Sequence, residues 1–260
     1  MSLLSTPAIV LASMKLGEAD KLVTFFTAKK GKLKGVAKGA RRMKSRFGAS
    51  LEPFTHCNLV VFEKPGDKLA RINQSDIVHS FQKLRESWGE IYLAAHMAHL
   101  VQRMTPEGEA NPSIYRLLLE GLTFLENGAD RQLSAILFVI RLVAYSGYQP
   151  RWDQCLKCRA SLTQPRVYFS SGRGGTVCAQ CADSLENGAA TRGTERLAAI
   201  SQGTLAFLRA SQRMDYTVAH RLKPSPAMRS EIQTLFGQHM TYLTGMPTPA
   251  SAVETAPNPI

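Results

Sequence analysis

The sequence predicts an α+β multidomain protein, with a small β-barrel first and then a helical domain that carries an inserted cysteine-rich ribbon. Three observations predict it. Five short apolar or β-branched runs fill the first 80 residues, apolar spacing turns helical from Ser80 onward, and four of the five cysteines fall within residues 155–181.

The five runs are Ile9-Val10-Leu11, Leu22 to Phe26, Leu33 to Ala37, Leu59 to Phe62 and Leu69 to Val78. Gly17, Gly31, Pro53 and Pro65-Gly66-Asp67 punctuate them, as turns between strands require. Five strands in about 80 residues fit an OB-fold barrel. An SH3-like barrel has a similar pattern. Beyond Ser80, Leu84, Trp88, Ile91, Tyr92, Ala95, Leu100 and Val101 recur at helical spacing, as do Ile114, Leu117, Leu118, Gly121, Leu122 and Leu125. Pro106 and Pro112 interrupt these helices, and Asn127-Gly128 ends the second. A third helix is expected from Asp130 to Ser146, with helical pattern resuming over Leu197–Leu208 and Ala227–Leu243. The expected domains are 1–80, an OB-fold nucleic-acid-binding barrel; 81–150, helical; 151–186, the cysteine ribbon; 187–245, helical again; and 246–260, a proline-rich disordered tail.

Composition narrows the partners. With 44% hydrophobic and 20% charged residues, a core is within reach without help from a metal. The net charge of +12 favours DNA, RNA or an anionic membrane surface. The N-terminus lacks a basic leader followed by an apolar run, and Leu133–Tyr145 is interrupted by Arg141 and too short to span a bilayer. The expectation is a cytoplasmic protein without a membrane partner, where paired cysteines serve as metal ligands more often than as disulfides.

The spacing Cys155-x2-Cys158-x19-Cys178-x2-Cys181 is that of a two-knuckle zinc site. Each C-x-x-C turn brings two sulfurs to one side of a tetrahedral ion. Arg166–Ser170 between the knuckles is expected as a strand, with Gly172, Gly174 and Gly175 supplying the return. Four thiolates leave no open coordination position, so one Zn2+ bound here would be structural. Two disulfides or a redox pair are the competing readings. The fifth cysteine, Cys57, lies in an apolar strand and reads as core.

Lys29, Lys30, Lys32, Lys34, Lys38, Arg41, Arg42, Lys44 and Arg46 form a nine-cation segment without an acid. Residues 1–80 hold 14 Lys or Arg against 6 Asp or Glu, so +8 of the net +12 lies there. Phosphate-dominated, salt-sensitive nucleic-acid binding is the expected use. Gly31, Gly35, Gly39 and Gly48 would let backbone approach phosphate. Phe47, inside the basic segment, is the better candidate for stacking on bases. Phe25 and Phe26 sit in a strand pattern, where Phe is usually core.

The chemistry of an enzyme is missing from the pattern. There is no phosphate-binding loop, no H-E-x-x-H, and Gly172-Arg173-Gly174-Gly175 is not a dinucleotide fingerprint. His96 and His99 read as helix-packing residues, and acids are too sparse for a paired-carboxylate site. No catalytic residue is expected.

Gly31-Lys32-Leu33-Lys34-Gly35-Val36-Ala37-Lys38-Gly39-Ala40-Arg41-Arg42-Met43-Lys44-Ser45 resembles a signature of the bacterial recombination mediator family RecO. Leu51-Glu52-Pro53-Phe54 and Gly147-Tyr148-Gln149-Pro150 leading to Cys155-Leu156-Lys157-Cys158 extend the resemblance over residues 1–245. It implies a non-enzymatic DNA repair protein, cytoplasmic and nucleoid-associated, that binds single- and double-stranded DNA through its OB-fold and anneals complementary strands. It also implies partnership with RecR, with the acidic C-terminal tail of single-strand-binding protein, and indirectly with the recombinase RecA. Arg131 and Arg141 are candidate contacts for that tail. An RNA-binding or regulatory OB-fold and zinc-ribbon module is the alternative, and a zinc-finger glycosylase is a third reading.

Overall fold

The computed structural model describes residues 2–64, 66, 69–187 and 197–245. The expected tail at 246–260 lies outside the described residues. Two compact units divide between Ala129 and Asp130.

In the first unit, β1 (Ser2–Leu16), β2 (Asp20–Thr27), β3 (Gly31–Ala37), β4 (His56–Glu63) and β5 (Ala70–His79) close a barrel in the order β1-β2-β3-β5-β4. The long β1 pairs with both β2 and β4, and a register shift between Val10 and Ala12 marks a bulge. A short parallel pairing, Gly35↔Ala70 and Val36↔Arg71, completes the closure. This five-stranded topology is OB-like, which settles the choice against an SH3-like barrel. Alternation decides the faces. Along β3, Gly31, Leu33, Gly35 and Ala37 are buried while Lys32 and Lys34 are half-buried on the outside. Val10, Val23, Phe25, Leu59, Val61 and Ile72 fill the barrel, joined by Phe47.

Two glycines on β3 are required by packing. A Cβ on Gly31 (φ +63°) would lie 1.8 Å from the Glu109 carbonyl oxygen. One on Gly35 would lie 2.8 Å from Ile72 Cγ1, against β5. Both close approaches are internal, so neither glycine is kept for phosphate as the sequence reading had expected. The segment facing Gly31 joins α1 (Trp88–Met104) to α2 (Pro112–Glu126). Asn111 starts α2, its side chain accepting from the Ile114 N–H with Pro112 following. These two helices fall in the same compact unit as the barrel.

The second unit begins with α3 (Arg131–Val143), capped by Asp130, whose carboxylate accepts from the Leu133 N–H at 3.0 Å. A π-turn over Ala144–Tyr148 ends it, with Gly147 at φ +86°. β6 (Arg166–Ser170), β7 (Gly175–Val177) and β8 (Leu197–Ser201) form a sheet in the order β7-β6-β8. α4 (Ala179–Asn187) follows β7, and α5 (Gln202–Arg213), α6 (Tyr216–Ala219) and α7 (Pro226–Thr244) complete the unit.

β8 corrects an expectation. Leu197–Ser201 reads as the start of a helix, yet it pairs antiparallel along all of β6, from Leu197↔Ser170 to Ser201↔Arg166. β7 covers only Tyr168–Ser170 on one edge of β6, and β8 satisfies the other edge. The helix starts one residue later. Ser201 caps α5, accepting from the Thr204 N–H, while its own N–H and hydroxyl donate to Glu231 at 2.9 Å each.

Candidate nucleic-acid interface and metal centre

The nine cations of residues 29–46 separate into two groups. Lys29 reaches back to the Ser5 carbonyl at 2.8 Å, and Lys30 binds both carboxylate oxygens of Glu63 at 2.6 Å. Lys34 pairs with Glu107 at 2.5 Å. Lys32 is committed inside its unit: its ammonium donates to the carbonyls of Gln102 and Thr105 at 2.7 and 2.6 Å, serving the otherwise unsatisfied end of α1. Burial lowers the Lys32 pKa, with Glu107 acting in the opposite direction.

Lys38, Arg41, Arg42, Lys44 and Arg46 are exposed, all on the loop between β3 and the 3-10 turn at Gly48–Leu51. The loop is fixed at both ends. Near its start, Gly39 N–H donates to Asp20 at 2.7 Å and Arg41 N–H to the Ala19 carbonyl at 2.9 Å. Arg41 Nη1 also donates to the carbonyls of Gly17 and Glu18 at 3.1 and 2.8 Å. At its end, Phe47 is 3% exposed and plugs the barrel core, with the Arg46 guanidinium 5.0 Å from its ring centroid. Phe25 and Phe26 are fully buried. None of the three is available to stack on a base, because each completes the apolar interior. What the loop presents is charge on an anchored backbone.

A cleft of about 230 Å³ also lies in this unit, lined by Lys30, Lys32, Lys34, Lys64, Glu63 and Glu107 among others. Sequence reasoning on residues 29–46 missed Lys64 and both acids. Only strand pairing and the α1–α2 connection bring them to β3, and no spacing along the chain signals that.

In the second unit, the four cysteine sulfurs lie within 4.8 Å of one another. Among the described residues this is the one group of three or more such side chains placed to hold a metal ion. Each knuckle has its own local cause. After Cys155 the chain doubles back, Arg159 N–H donating to the Cys155 carbonyl and Cys155 N–H to the Ala160 carbonyl, with Arg159 at φ +61°. Cys178 lies between β7 and α4, where the Ala182 N–H donates to its carbonyl and the first turn of α4 brings Cys181 alongside. Cys158 and Cys178 sulfurs stand 3.7 Å apart. Sulfurs tetrahedral about an ion at 2.3 Å are about 3.8 Å apart, so this pair has the spacing of two thiolate ligands and the set could hold a metal ion.

The four thiols do not ionise alike. Burial pushes the Cys155 thiol up, but N–H groups of Cys158, Cys178 and Lys157 outweigh it and hold the pKa at about 6. Cys181 goes the other way, driven to about 12 by burial and by the neighbouring sulfurs. Four sulfurs this close cannot share negative charge without a positive ion among them.

Arg131 and Arg141 do not converge. They stand at opposite ends of α3, about 15 Å apart along the axis. The Arg141 guanidinium donates to the carbonyls of Gln212 and Met214, closing the end of α5. His96 is half-buried, and burial and then His99 push it down to about 4, whereas His99 is exposed and does not pack as expected. No helix among the described residues is long and apolar enough to cross a membrane.

An OB-like barrel with an exposed basic loop, followed by a four-cysteine ribbon among helices, defines a class of multidomain nucleic-acid-handling protein. Family comparison makes it specific. The family described as "Recombination protein O N terminal" matches residues 1–81, and "Recombination protein O C terminal" matches residues 85–252. The "DNA repair protein RecO" of Pelotomaculum thermopropionicum is 32% identical over 242 residues, covering 93% of this chain and 90% of that one. That of Thermodesulfovibrio yellowstonii is 32% identical over 241 residues, covering 93% of each. The chain belongs to the RecO family of DNA repair and recombination proteins.

Proposed function

We propose that the protein is a non-enzymatic mediator of recombinational repair that binds single- and double-stranded DNA and anneals complementary strands. The observation that carries this reading is the anchored loop presenting Lys38, Arg41, Arg42, Lys44 and Arg46 to solvent without an interspersed acid. Such a surface neutralises phosphates and releases their counterions, which drives capture of either strand irrespective of sequence. Annealing needs no chemistry beyond that. Screening by the loop removes the repulsion between two strands, and base pairing does the rest.

Cys155, Cys158, Cys178 and Cys181 would hold one zinc ion. The ion supplies no reactive position; it cross-links the two knuckles beside β6 and β7, whose Val167, Phe169 and Val177 are buried. Partnership with RecR, with the tail of single-strand-binding protein and, through them, with RecA completes the reading as a soluble cytoplasmic protein acting at the nucleoid. Arg131 and Arg141, on α3, are the side chains this reading offers to that acidic tail.

The test is fluorescence-monitored annealing of complementary strands coated with single-strand-binding protein. Wild-type protein accelerates it, and a Lys38→Ala/Arg41→Ala/Arg42→Ala variant does not. No acceleration by wild type, or full activity in the variant, overturns the reading.

A further inference from the structure

Beside the exposed loop, the first unit has a second group of cations, held differently. In the cleft on β3, Lys30 and Lys34 do not face water alone: Glu63 offers both its oxygens to Lys30 at 2.6 Å, and Glu107 sits 2.5 Å from Lys34. Lys64 lines the same cleft. Lys32 is fixed on the α1 carbonyls and contributes only its field.

We propose that this cleft is a second phosphate-binding site for a nucleic-acid strand, kept shut by Glu63 and Glu107, whose carboxylates stand where phosphate oxygens would sit. The inference rests on the proposed function and adds to it a built-in competitor for the strand. Four lysines against two carboxylates leave the cleft at +2, so it attracts a polyanion even when guarded. The guards are removable. The side chains in these two pairs are between 23% and 52% exposed, and ion pairs this wet are weak. A phosphate that displaces a carboxylate keeps the ammonium's hydrogen bonds and adds counterion release.

Geometry favours nucleic acid over an acidic peptide as the occupant. Lys30, Lys34 and Lys64 meet in one cleft as separate cations, and its continuity with the loop decides the occupant. β3 runs directly into the basic loop, and Lys34 and Lys38 are about 13 Å apart along it. One extended backbone can therefore follow β3 from the loop into the cleft.

Anisotropy titration of a labelled single-stranded oligonucleotide against the full chain tests this. Glu63→Gln/Glu107→Gln keeps side-chain size and one acceptor oxygen at each position while removing the charge that holds two ammonium groups. Its affinity is expected to rise about tenfold at moderate salt, and the slope of log K against log salt to steepen by about 1.4. Adding Lys30→Ala and Lys34→Ala abolishes the gain. Should the double variant unfold in a thermal scan, each single substitution carries the test with half the slope change. An unchanged affinity, or a gain that survives loss of both lysines, overturns the cleft. So does a labelled acidic peptide that gains affinity when the oligonucleotide does not. If the loop triple variant still binds weakly in those cases, the proposed function stands and only the cleft falls. A wild type that does not bind the oligonucleotide at all removes the proposed function itself.

Discussion

The basic loop and the cysteine ribbon are both short segments pinned by backbone hydrogen bonds, but their side chains run in opposite directions. In the ribbon, four thiols converge to within 4.8 Å, with Cys155 and Cys178 buried. In the loop, Lys38, Arg41, Arg42, Lys44 and Arg46 all face solvent while Phe47 turns into the core. Convergence suits a point charge such as a metal ion, and an outward array suits an extended polyanion. The difference teaches that charge pattern and anchoring must be read together, since Lys32 belongs to the same basic run yet is spent on α1.

If the ribbon is a metal-held scaffold, the largest effect comes from breaking it. Cys155→Ser or Cys178→Ser is expected to lose the metal, measured as zinc per chain, and to unfold the ribbon, because folding of such sites is coupled to binding worth roughly 10 kcal/mol or more. A Cys178→Ser protein that is metal-free and as stable as wild type would break the comparison. Next in size is Phe47→Ala, which empties a core position at the foot of the loop. A loss of about 3–5 kcal/mol in denaturant unfolding is expected. Weakened DNA binding should accompany it, because the loop loses its lower anchor.

Gly31→Ala sharpens the barrel side. The added carbon meets the Glu109 carbonyl, a backbone obstacle, at a positive φ. A cost of about 1–3 kcal/mol in the same measurement is expected, without change in metal content. The smallest effect belongs to Asp130→Ala, a lesion of the second unit away from the cysteines. Losing the α3 cap costs about 1 kcal/mol at neutral pH. The hydrogen bond and charge of Arg229 hold the Asp130 carboxyl below its usual range. A depressed pKa stabilises the fold above the unfolded value and ceases to do so as pH falls through the folded one. The difference between wild type and Asp130→Ala should therefore shrink in acid, below about pH 4. A difference that grew on acidification would contradict the assignment.

Much of the architecture is legible in the sequence because its signals are local. The five strand runs, the helical spacing of α1 to α3 and the C-x-x-C knuckles each depend on neighbours within a few residues. What is illegible depends on partners far along the chain. Leu197–Ser201 has helical spacing, and only the open edge of β6 makes it a strand. Phe47 looks like a stacking residue in a basic loop until the barrel closes around it. Lys30, Lys32 and Lys34 read as one charge run with Lys38 and Arg41, and only the acids and carbonyls brought by β4 and the α1–α2 connection separate them.

The proposed division of labour gives the DNA contact to the loop and the holding of the fold to the ribbon. The direct measurement is the salt dependence of oligonucleotide affinity for wild type and for Lys38→Ala/Arg41→Ala/Arg42→Ala, with thermal stability and zinc content recorded on the same samples. A slope of log K against log salt shallower by about 2 is expected in the variant, with zinc unchanged and stability lowered by no more than about 1 kcal/mol for the exposed Arg41 bonds. An unchanged slope in a folded, zinc-loaded variant would contradict it.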